Sequence, residues 1–106
     1  MKISTLLLTA VLGIFLHISA TMAYDAQNMP PNGFVPDEQT AVRIAEAVWI
    51  PIYGEKKIEK EKPFKAVLKE DTWRVTGSLP EGMLGGTAIA EISKKDGRIL
   101  YIIHQQ

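Results

Sequence analysis

The sequence contains no cysteine, which excludes disulfide staples, thiolate catalysis and cysteine-ligated metals. Histidine is nearly as scarce. His17 lies near the start and His104 near the end, and neither has partners at the spacing that a zinc site or a Ser-His-Asp arrangement requires. Excess charge of one sign is also missing: 12 Lys and Arg balance 12 Asp and Glu, so no field draws in nucleic acid. Only two tryptophans are present, so each must carry a large share of any core. There are no internal repeats and no low-complexity segments.

What is present begins with a leader-like pattern. Met1-Lys2 is followed by an uncharged run from Ile3 to Ala20, centred on Leu6 to Leu16, and then by Thr21-Met22-Ala23. A basic start, an apolar stretch and a small-residue exit are the parts of a secretory signal peptide. The expectation is cleavage after Ala23, with Ala20 second, and a periplasmic or secreted product. No Cys follows the run, so lipoprotein processing does not apply. The competing reading is a retained membrane anchor, since a bilayer span needs about 20 apolar residues. Against it, Ser4, Thr5, Thr9, His17 and Ser19 dilute the run and no basic cluster follows. Removing 23 residues from 106 leaves 83, enough for one small domain whose stability must come from packing.

Residues 24–36 carry Asn28-Met29-Pro30-Pro31-Asn32-Gly33, too dense in turn formers for a helix or central strand, and read as an extended arm. Asp37 is a good N-cap and Glu38 favours the positive helix end. Ala41, Val42, Ala45, Val48, Trp49 and Ile52 then recur at three- and four-residue steps, predicting a helix with one apolar stripe. Pro51 predicts a kink or stop near Ile50, with Gly54 ending any final turn. Glu55 to Lys62 is charged apart from Ile58 and reads as a solvated loop or short edge strand.

Four strands are expected after it. Phe64, Ala66 and Leu68 alternate with Lys65, Val67 and Lys69; after Glu70-Asp71, Trp73, Val75, Gly77 and Leu79 alternate with polar residues. A glycine-rich loop, residues 80–86, leads to a third strand over 87–93, with Ala88, Ala90 and Ile92 on one face. Asp96-Gly97 predicts a tight hairpin turn into the fourth strand, 98–104. Ile99 to Ile103 is apolar on both faces, which suggests a central position or a covered face. The predicted fold is α+β: one N-terminal helix packed on a four-stranded antiparallel meander, resembling a short cystatin-like layer over residues 37–106.

No arrangement in this layout carries catalysis. The acids lie at the helix start, in the charged stretch and in turns, where solubilising charges go, and His104 reads as a surface residue. Gly82-Met83-Leu84-Gly85-Gly86 precedes a strand instead of a helix and lacks the Lys-Ser/Thr ending of a phosphate-binding loop. Trp49, Tyr53, Phe64 and Trp73 read as core more readily than as a ligand pocket. Met83 and Leu84 either fold back over the core, the commoner fate, or stay exposed as contact residues. The charged stretch suits the rim of an interface. Neither cofactor nor metal is expected, and the chain is read as a binding module and not an enzyme.

The run 45–54 (AEAVWIPIYG) is followed by 62–66 (KPFKA), 73–80 (WRVTGSLP), 85–88 (GGTA) and 91–100 (EISKKDGRIL). Together these resemble the family of small immunity proteins with the nuclear-transport-factor-two-like fold, across residues 37 to 103. The resemblance implies a half-cone of that fold and a protein that binds and blocks a cognate toxin, from a contact-dependent or secreted system. Combined with export, it implies a toxin acting in the periplasm. The expected contact residues are Tyr53, Lys56, Lys57, Glu59, Met83 and Leu84. The partner is the toxin, with no nucleic acid and no membrane once the leader is removed. An exported inhibitor or chaperone-like module acting on an endogenous peptidase is the alternative.

Overall fold

The computed structural model describes residues 28–106; the leader, its cleavage point and the first residues of the arm lie outside the described residues. Helix α1 spans Glu38–Tyr53 and a short helix α2 spans Glu55–Glu59. Strands β1 (Lys65–Lys69), β2 (Thr72–Thr76), β3 (Ala88–Ser93) and β4 (Ile99–His104) follow. They form one antiparallel sheet in the order β1-β2-β3-β4, the meander that the sequence predicts, with α1 laid across one face.

Helix α1 begins as its cap dictates. The Asp37 carboxylate accepts bonds from the Thr40 backbone N–H at 2.8 Å and the Thr40 hydroxyl at 2.7 Å, which holds its pKa below the usual carboxylate value. Ala41, Ala45 and Trp49, spaced one turn apart, are fully buried, whereas Ile52 lies off this stripe and is 56% exposed. Pro51 does not stop the helix. Its fixed φ suits a helix, and only the bond to Ala47 is lost; the helix runs on to Tyr53, where the Gly54 N–H closes the last turn on Ile50 O at 2.9 Å. Gly54 sits at φ 96°, where a side chain would be strained, and turns the chain straight into α2.

The helical α2 corrects the expected loop or edge strand. Ile58 is fully buried and anchors the segment, while the charged residues of α2 face solvent. A single apolar residue among eight provides no period, so the sequence pattern could not show the helix.

The sheet core is built from paired inward residues. Trp73 lies opposite Ile92, and Val75 lies between Ala66 and Ala90; all are buried. Trp49 and Phe64 meet edge to face, with ring centroids 5.3 Å apart. The Trp73 indole N–H donates to Val35 O at 2.8 Å, tying the arm to the sheet. Val35 is itself fully buried, and Phe34 and Val35 donate to Lys95 O and Lys94 O. Gly33 passes so close that a Cβ there would lie 2.3 Å from Lys94 O.

Three strand expectations change. Gly77 and Leu79 fall outside β2, and Leu79 is 41% exposed. Leu68 is 40% exposed because β1 is an edge that α1 covers only in part. β4 is the other edge and not a central strand, with Leu100 and Tyr101 exposed. The β3–β4 turn does place Gly97 at φ 76°, as Asp-Gly predicts, while the Asp96 carboxylate accepts the Arg98 N–H at 3.0 Å.

Candidate binding site

The chain direction brings the start of β1, the end of β2, the start of β3 and the end of β4 to one end of the sheet. The end of α1 reaches this same end: Tyr53, half-buried, meets the His104 ring edge-on at a centroid distance of 5.3 Å.

A buried carboxylate holds these pieces together. Glu61, 6% exposed, accepts the Ala88 backbone N–H at 2.7 Å through Oε1 and lies 2.8 Å from His104 Nε2 through Oε2. His104 Nδ1 is 2.7 Å from the Gln105 carbonyl, which can only accept, so Nδ1 carries a proton. Both ring nitrogens therefore have hydrogen-bond partners. His104 is not the surface residue expected from its place near the end of the sequence: its side chain is 13% exposed. Nothing in the sequence marked Glu61, one acid in a run of mixed charges, as the buried one.

Glu61 also fixes the base of the glycine-rich loop. Its backbone C=O accepts the Ser78 N–H at 2.7 Å, and the Ser78 hydroxyl donates to Pro63 O. A Cβ on Gly77 would sit 2.6 Å from Glu61 Oε1, so only glycine allows the carboxylate this approach. At the far end of the loop, the Gly77 N–H donates to Ala88 O and the Gln105 N–H to Thr87 O. Between these fixed ends, Met83 is 59% and Leu84 98% exposed. They do not fold back over the core. The Met83 N–H donates to Pro80 O at 3.1 Å, closing a local turn.

Lys56, Lys57 and Glu59 lie exposed on α2. Glu59 bonds the Lys62 ammonium at 2.9 Å, with Glu46 at 3.4 Å, and the Glu59 bond raises the Lys62 pKa above its ordinary value. The elements bearing these six residues thus converge on one end, where Glu61 and its neighbours link α2 to the base of the loop. Among the described residues no group of three or more His, Asp or Glu side chains is placed to hold a metal ion.

Against this geometry stands one family comparison. Residues 40–106 match the family described as NTF2 fold immunity protein, a span covering the helix, the sheet and the loop. The chain belongs to this family. A helix on a four-stranded antiparallel sheet agrees with the α+β fold of that family.

Two Escherichia coli (strain K12) proteins are similar to this immunity-family chain. Uncharacterized protein YbbC is 38% identical over 73 residues, 68% of this chain and 60% of that protein. Uncharacterized protein YhhH is 35% identical over 71 residues, 66% of this chain and 56% of that protein. The chain therefore matches a little over half the length of each. No solved structure matches it significantly.

Proposed function

We propose that this protein neutralises a cognate toxin by binding and occluding it, without chemistry of its own, and that the toxin acts in the periplasm. The observation that carries the contact surface is the exposure of Met83 and Leu84 on a loop whose two ends are fixed. Exposed apolar side chains on an anchored loop lose little freedom on docking, so they suit the role of buried anchors in a complex. Tyr53 and the α2 charges Lys56, Lys57 and Glu59 form the rest of the surface, with the charges raising the rate of encounter more than the strength of the bond. The periplasmic site of action rests on the leader pattern of residues 1–23.

Co-expression with the product of the adjacent gene, directed to the periplasm, tests this. Toxicity should be relieved by the wild-type protein, and the pair Met83→Asp and Leu84→Asp should abolish relief while leaving the circular dichroism spectrum unchanged. If no neighbouring product is toxic in any compartment, the toxin-blocking role fails. Relief that survives both substitutions shows that the contact surface lies elsewhere.

A further inference from the structure

The two edges of the sheet differ in a way that the toxin-binding end does not explain. β1 carries Lys65 and Lys69 along its edge, the charged residues that keep a free edge from pairing with another strand. β4, with the sequence Ile99-Leu-Tyr-Ile-Ile-His104, has no Lys, Pro or acid, and its histidine is turned inward to Glu61. Among the described residues no strand lies along its outer edge, and Leu100, Tyr101 and Ile103 are 43%, 46% and 37% exposed.

We propose that the β4 edge is a self-association surface whose occupant is the β4 edge of a second copy of this chain, giving a two-fold dimer with one continuous sheet. Charge favours the same strand as partner. A two-fold axis sets a strand against its own copy, so a strand carrying charge of one sign meets the same sign, whereas β4 is uncharged along Ile99–Ile103.

The backbone fixes the register. Hydrogen-bonded and non-bonded positions alternate along an antiparallel pair. The Gln105 N–H bonds Thr87 O, so Ile103 and Tyr101, two and four residues back, aim their backbone groups at β3. Ile102 and His104 aim theirs outward. With the axis at Ile102, each Ile102 exchanges N–H···O bonds with its copy, and His104 runs beside Leu100 of the other chain. On the sheet face away from α1, Tyr101 then lies opposite Ile103 of the second chain, joining two exposed apolar pairs into one covered patch.

The test uses the purified protein in sedimentation velocity over a concentration series, with hydrogen exchange on the same samples. Wild type should reach twice the single-chain mass, and the Ile102 amide should become protected as the dimer forms. Tyr101→Lys with Ile103→Lys sets like charges opposite one another and should give single chains with an unchanged circular dichroism spectrum. Tyr101→Lys with Ile103→Glu sets each new lysine against a new glutamate of the other copy and should restore the dimer. A wild type that stays a single chain at every concentration overturns the proposal, even if β4 becomes protected only in a complex with another protein. So does a dimer that survives the double lysine variant. A lysine–glutamate variant that stays single overturns the register.

Discussion

Replacing Glu61 separates its role as a buried clamp from the ordinary role of a charge in a polar stretch. In Glu61→Ala the Ala88 N–H, buried at the start of β3, loses its acceptor at 2.7 Å, and His104 Nε2 loses its partner at 2.8 Å. An unsatisfied buried polar group costs about 1–3 kcal/mol, and this change leaves two of them. We expect a loss of about 3–4 kcal/mol in urea denaturation, a large fraction of a small domain's stability of about 5–10 kcal/mol. Glu61→Gln is the informative control. Its amide oxygen still accepts from Ala88, and its NH2 group can donate to an unprotonated His104 Nε2 while Nδ1–H stays on the Gln105 carbonyl. Its cost should be about 1 kcal/mol. If Glu61→Ala shifts stability by no more than about 0.5 kcal/mol, as surface substitutions do, the clamp described above does not exist. Equal losses for Ala and Gln would show that the charge itself, and not the pattern of acceptors, holds the loop base.

The two tryptophans should respond differently to Phe. Trp73→Phe leaves the Val35 carbonyl without its bond and should cost about 2–3 kcal/mol by calorimetry, whereas the Trp49 Nε1 has no hydrogen-bond partner among the described residues, so Trp49→Phe should cost less, about 1–2 kcal/mol for lost volume. A larger loss at Trp49 would contradict the role given to the Trp73–Val35 bond. Because the Thr40 bonds depress the folded-state pKa of Asp37, its contribution is fully present above its unfolded value of about 3.9 and is lost as pH falls through the lower folded value. The difference in melting temperature between wild type and Asp37→Ala should therefore be constant from about pH 5 upward and close in more acidic solution. A gap that widens on acidification would refute the cap.

The sequence by itself determined the order and type of most elements, because those signals are local. The N-cap at Asp37, the stripe Ala41-Ala45-Trp49, the alternation through Trp73 and Val75, and the Asp96-Gly97 turn each follow from backbone geometry within a few residues. The residues marking the family were legible for the same reason, being spread along those elements in order. What only the tertiary structure decided was set by contacts distant in sequence. α2 forms because Ile58 finds a place in the core, and Glu61 and His104, 43 positions apart, come together, Glu61 buried and His104 part-buried, because the end of β4 passes beside the start of β3. The apolar run of β4 suits a central position or a covered face, and whether a strand has one neighbour or two depends on the order of the whole sheet. The exposure of Met83 and Leu84 was likewise undecided in the sequence, since an apolar pair in a loop looks the same whether it folds back over a core or faces water. Here the bonds fixing Ser78 to Glu61 and Gln105 to Thr87 hold both ends of the loop, and Met83 and Leu84 between them face solvent.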